Sequence, residues 1–118
     1  MTNNVYWTID ISIKSGALDD LKALMDEMIA STQNEDGALN YEWWISDDST
    51  TCHIYERYTD AAAAMVHIGN FGAHFAERFM GLVDVTRFIV YGGHDENVRG
   101  ALGGMGAAFM GSLGGFSR

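Results

Sequence analysis

An α+β domain, with two helices on one face of a four-stranded antiparallel sheet, is predicted by three features of this 118-residue chain. Four segments alternate apolar and polar residues at the strand period. Two amphipathic segments of helical period lie between them. Their order along the chain is βαββαβ.

Val5 to Lys14 opens the pattern. Val5, Trp7, Ile9, Ile11 and Ile13 fall on one face, and Tyr6, Thr8, Asp10, Ser12 and Lys14 on the other. Ser15-Gly16 is a turn signal. Leu18, Leu21, Leu24, Met28 and Thr32 then recur at helical spacing, with Asp19, Asp20, Lys22, Asp26 and Glu27 opposite them. Asp19 and Asp20 suit the positive end of the helix dipole. Asn34 to Gly37 breaks the helix. Leu39, Tyr41, Trp43 and Ile45 alternate again, so 38–46 reads as the second strand. Asp47-Asp48-Ser49 is a hairpin turn by composition, and Thr51 to Tyr58 is the third strand, rich in β-branched and aromatic residues. Thr59-Asp60 can cap a helix starting at Ala61. Gly69-Asn70-Phe71-Gly72 is expected to kink or interrupt it, with helix resuming along Phe71, Phe75 and Phe79. Val83 to Tyr91 is the fourth strand, ended by Gly92-Gly93.

Two right-handed crossovers of this order give the ferredoxin-like arrangement. The sheet face away from the helices carries Tyr6, Trp44 and Tyr55. An apolar patch of that kind predicts a homodimer packed sheet to sheet.

The net charge of −9 lies entirely in residues 1–60, which hold 12 acidic and 3 basic residues; residues 61–118 hold 4 of each. Such a balance argues against a nucleic-acid partner and against an anionic membrane surface. One cysteine and no visible secretory signal lead us to expect a reducing compartment, the cytoplasm. The histidines at 53, 67, 74 and 94 have no metal-ligand spacing, so no metal is expected, and with no GxGxxG after a strand and no P-loop no cofactor is expected either.

Residues 93–118 read as an extension to a domain of residues 1–92. Seven of the fourteen glycines lie between Gly100 and Gly115, yet Val98, Leu102, Met105, Phe109, Leu113 and Phe116 keep a helical spacing. Glycine at that density makes an isolated helix untenable. The expectation is a helical extension that packs on its own domain or on the dimer partner, its small residues permitting close approach.

Several motifs in order carry a family resemblance: Glu35-Asp36-Gly37 before the second strand, Tyr55-Glu56-Arg57 on the third, and Val66-His67 with His74-Phe75 on the second helix. Over about residues 5–92 the chain resembles the antibiotic biosynthesis monooxygenase family of dimeric α+β barrels. It departs from that pattern at Asp36, where the family has proline. The resemblance implies a cofactor-independent monooxygenase acting on a small aromatic or quinol-like molecule. Two alternatives stand beside it: a non-catalytic small-ligand-binding or stress-related protein on the same scaffold, and a haem-binding relative. Against the last, helix two carries no Trp to complete the Asn, Trp and His set of the haem degraders.

Oxygenation without a cofactor needs an electron-rich anion, hence a base, a dry pocket and hydrogen bonds. Histidine is the natural base, so His67 and His74, seven residues apart, are the candidate catalytic residues. Trp7, Tyr41, Trp43, Tyr55, Phe71 and Phe75 are the candidate substrate-binding residues, large rings suited to an aromatic ligand. Glu56 is either a functional carboxylate or the partner of Arg57, Arg87 or a backbone N–H. Cys52 and His53 point to opposite strand faces and cannot form a dyad; Cys52 reads as a small buried filler.

Overall fold

Alternation becomes burial along strand β1 (Val5–Ile13), where Val5, Trp7 and Ile11 are buried, Ile9 packs beside them, and Tyr6, Thr8 and Asp10 face the other side of the sheet. The computed structural model describes residues 2–118. Helix α1 (Leu18–Gln33) turns Leu21, Leu24, Met28 and Thr32 inward and leaves its acidic stripe in water. Strands β2 (Ala38–Ile45) and β3 (Thr51–Tyr58) follow as a hairpin. Cys52, Ile54, Glu56 and Tyr58 are the buried side of β3. Helix α2 (Ala61–His74) is capped by Asp60, whose carboxylate accepts from the Ala63 N–H at 2.9 Å. Helix α3 (Ala76–Leu82) leads into β4 (Val83–Gly92).

With a short C-terminal strand β5 (Ala108–Met110) at one edge, the strand order is β2-β3-β1-β4-β5, and the first four strands pair antiparallel, as the ferredoxin-like reading requires. Two clusters form the core between the sheet and the helices. One gathers Trp7, Tyr58, Ala64 and Val90, the other Ile11, Leu24, Ile54 and Phe79. Each large apolar side chain so buried contributes about 1.5–3 kcal/mol. Gly37, Gly92 and Gly93 hold close approaches. A Cβ at Gly92, whose φ is +88°, would strike the Asn4 carbonyl; one at Gly37 would strike the Ala63 side chain. The second contact seats the start of α2 against the loop that precedes β2.

Two expectations about local structure are corrected. Helix α2 runs straight through Gly69–Gly72 and breaks at Phe75, where φ is −128° and a separate helix begins. Side chains at Gly69 and Gly72 would meet nothing within 4 Å, so these positions cost only helix propensity, which the packed face of α2 outweighs. The C-terminal segment is helical only over α4 (Glu96–Gly103). It then turns at Gly106, φ +80°, and adds a short fifth strand, β5 (Ala108–Met110), parallel to β4. Val98 and Leu102 are buried in the first core cluster, so α4 packs on its own domain. Its glycines do not serve close approach: a Cβ at Gly100, Gly103 or Gly104 would meet nothing within 4 Å. Beyond Met110 the chain is exposed, Leu113 and Phe116 included.

On the sheet face opposite the helices, Tyr6 stacks on Tyr91 with ring centroids 5.5 Å apart, and Trp44 is 61% exposed. No helix among the described residues is long and apolar enough to cross a membrane.

Candidate active site

One row of residues crosses the sheet on its helix-covered side: Tyr41 on β2, Glu56 on β3, Trp7 and then Val90 on β1 and β4. Glu56 shares the parity of Ile54 and Tyr58, so strand geometry alone carries its carboxylate into the core. Above it stands His67 of α2, one turn beyond buried Ala64. A third group comes from the loop after α1. There Glu35 is held by its N–H on the Thr32 carbonyl and its carbonyl on the Ala38 N–H.

These three side chains form a buried chain of charge-assisted hydrogen bonds. His67 Nδ1 lies 3.0 Å from Glu35 Oε1, and His67 Nε2 lies 2.9 Å from Glu56 Oε1. The second oxygen of Glu35 accepts from Asn70 Nδ2 at 3.2 Å, and Glu56 Oε1 also accepts from the Tyr58 hydroxyl at 2.8 Å. An imidazole with a carboxylate on each nitrogen donates from both. Burial disfavours the cation, but the Glu56 charge and the hydrogen bonds to Glu35 and Glu56 outweigh it and push the His67 pKa up to about 9. His67 is therefore an imidazolium at neutral pH. The rings of Tyr58, Tyr41 and Trp7 surround it at centroid distances of 4.9, 5.6 and 6.2 Å, and aromatic faces suit a cation. Burial, then the nearby Glu56 charge, raises the pKa of Tyr41 and of Tyr58 alike, so both phenols stay neutral.

The chain of charges borders a cavity of about 40 Å³, otherwise lined by apolar and aromatic side chains. Glu56 and His67 bring a carboxylate and an imidazole to its lining. Trp7, Tyr41, Phe71 and Phe79 form much of its wall, and Leu102 and Met105 reach it from the C-terminal segment. The Nε1 of Trp7 is buried with no hydrogen-bond partner among the described residues.

Of the residues singled out in the sequence, Trp7, Tyr41, His67 and Phe71 meet at this cavity. The other four do not. His74 is exposed at the end of α2, because two helical turns carry it about 10 Å along the axis from His67. Tyr55 points to the opposite sheet face, on the other parity from Glu56. Trp43 packs edge-on against Phe79 and lines a separate cleft with Leu21 and Lys22. Phe75 borders a narrow crevice beside Glu35 and Asn70. Glu56 bonds His67 and Tyr58 rather than Arg57, which is taken by Asn40 and Asn4. Sequence reasoning gave Glu35 no role. The available signal for Glu56 was a carboxylate at an apolar strand position; for Glu35 there was none beyond its place in the loop motif. Among the described residues no cluster of His, Cys, Asp and Glu could hold a metal ion.

A ferredoxin-like α+β fold with an acid–base chain bordering an apolar cavity is thus the class to which this molecule belongs. The model of the antibiotic biosynthesis monooxygenase family matches residues 5–77, and the chain belongs to that family. Among solved structures it is similar to MupZ from Pseudomonas fluorescens, at 28% identity and a TM-score of 0.88, over 100% of this chain and 91% of that one. It is also similar to Rv0793 from Mycobacterium tuberculosis, at 30% identity and a TM-score of 0.59, over 79% of this chain and 97% of that one. SnoaB from Streptomyces nogalater, a cofactor-independent oxygenase, shares the fold at 14% identity and a TM-score of 0.66, over 75% and 91% of the two chains. No curated protein matches the sequence.

Proposed function

We propose that this protein is a cofactor-independent monooxygenase of a small aromatic, quinol-like molecule, and that the Glu35–His67–Glu56 chain is its proton acceptor. The observation that carries the reading is the location of that chain at an apolar cavity. Two carboxylates and one imidazolium leave the cluster with one net negative charge in surroundings that disfavour it. Taking a proton from a phenolic hydroxyl, with Glu56 as acceptor, neutralises the cluster and moves the negative charge onto the substrate. His67, still an imidazolium, then faces that anion. The anion is the electron-rich species that reduces dioxygen. In the balanced reaction a quinol and O2 give a hydroxyquinone and water: one oxygen atom enters the ring, the other leaves as water, and the substrate supplies all four electrons. Family membership supports this class of reaction, and the oxygenase SnoaB shares the fold. The protein works, on this reading, as a homodimer packed through the open sheet face around Tyr6, Tyr55 and Trp44.

Oxygen uptake with a panel of benzene and naphthalene quinols tests the proposal. Turnover above autoxidation in buffer is expected in the wild type and in His74→Ala. It is expected to fall at least 100-fold in Glu56→Gln and in His67→Ala. The reading fails if no quinol or phenol is consumed faster than in buffer, or if Glu56→Gln retains full turnover.

A further inference from the structure

The cavity is too small for the molecules its chemistry suits. At about 40 Å³ it has room for water, whereas benzene occupies an engineered cavity of roughly 150 Å³. Any ring that reaches His67 and Glu56 must displace part of the wall. Much of that wall belongs to the core. Trp7, Ile54, Glu56, Val85 and Phe88 sit on paired strands, and Phe79 is buried between α1 and the sheet. Other parts of it come from helices α1 and α2 and, through Leu102 and Met105, from the C-terminal segment. Helix α4 has eight residues, and the strand that follows it pairs with β4 over three. The segment is held to itself by a small clasp: Arg99 Nε donates to His94 Nδ1 at 3.2 Å, His94 Nε2 lies 3.0 Å from the Met110 carbonyl, and the Arg99 guanidinium sits 5.0 Å over the Phe109 ring.

The glycines of α4 point the same way. Side chains at Gly100, Gly103 and Gly104 would meet nothing, and none of the three has a positive φ. Neither packing nor backbone conformation calls for glycine there, and its presence weakens the helix relative to alanine. The region matched by the family model ends at residue 77, so this wall lies outside it, whereas the similarity to MupZ spans it.

We propose that residues 96–110 form a hinged cap over the cavity, loosened by Gly100, Gly103 and Gly104, and that Leu102 and Met105 limit the size of the molecule that reaches His67. This rests on the reading of the cavity as the substrate site, but its test needs neither dioxygen nor turnover. The Trp7 indole N–H is buried with no hydrogen-bond partner among the described residues, and Trp7 lines the cavity, so its hydrogen exchange reports solvent entry there. The amide of buried Ile54, on β3 between β1 and β2 and away from the C-terminal segment, serves as the reference for global opening.

By NMR, after correction for intrinsic rates, the indole is expected to exchange at least tenfold faster than the Ile54 amide. In the triple variant Gly100→Ala, Gly103→Ala, Gly104→Ala that ratio is expected to fall at least fivefold, with thermal stability equal or higher. In Met105→Ala, affinity for 1-naphthol relative to phenol is expected to rise at least fivefold. An indole no faster than Ile54, or a ratio unchanged in the triple variant, overturns the cap. An unchanged preference in Met105→Ala, or no binding of either compound by that variant, overturns the size limit. Oxygen uptake that fails while the exchange results hold would remove the oxygenase reading and leave the cap in place.

Discussion

Replacing Glu56 by Gln removes one of the two charges that keep His67 protonated, and the consequence can be worked through the pH dependence of stability. In the folded protein the His67 pKa is pushed up to about 9, from the 6.5 of an ordinary histidine. A raised folded-state pKa means the folded protein holds this proton more tightly than the unfolded chain. The stabilisation is therefore fully present below pH 6.5 and is lost as pH rises through 9. The size of the shift corresponds to about 3 kcal/mol. For a chain of this length an unfolding entropy near 250 cal/mol/K makes that roughly 12 °C in Tm. Thermal melts and urea titrations between pH 6 and pH 10 should show a decline of that order in the wild type. In Glu56→Gln the decline should shrink to half or less, because only Glu35 still faces the ring. NMR titration of the His67 ring assigns the change to its source. A wild-type stability that is flat from pH 6 to pH 9.5, or a His67 ring that titrates at or below 6.5, would refute the paired-carboxylate account.

Other perturbations have definite expected outcomes. Gly37→Ala drives a Cβ into Ala63 and should cost about 1–3 kcal/mol in urea unfolding; because it pries α2 from the loop carrying Glu35, it should also lower the His67 pKa. Asp60→Ala removes the N-cap of α2 and should cost about 1 kcal/mol, while Asp60→Asn should cost less, both read from Tm. Truncation after Gly93 strips the cover from the cavity along with buried Val98 and Leu102, and should lower Tm by several degrees and raise binding of a hydrophobic dye; unchanged values of both would show that the cap contributes nothing to the fold.

Much of this molecule was legible residue by residue. The alternation of Val5, Trp7 and Ile11 defined the buried face of β1, the Asp60 cap marked the start of α2, and the loop motif with the histidines of α2 led to the family. These features are local, since a strand or helix period compares a residue with neighbours a few positions away. The second helix shows where such reading stops. His67 and His74 are equivalent by spacing, yet one is walled in by two carboxylates and the other is exposed, because the distinction lies in what stands opposite each turn of the helix.

Glu35, Glu56 and His67 come from a loop, a strand and a helix, and no sequence period relates them. Pairing between β1, β2 and β3 sets Glu56 between Tyr41 and Trp7, and the packing of α2 against the Gly37 loop brings His67 within hydrogen-bonding distance of Glu35 and Glu56. The C-terminal segment divides in the same way. Its glycine content and apolar spacing are plain in the sequence. That those glycines stand in open space, while Leu102 and Met105 close a cavity, was decided by the tertiary structure, because contacts between elements distant along the chain determine which side of a short helix is buried.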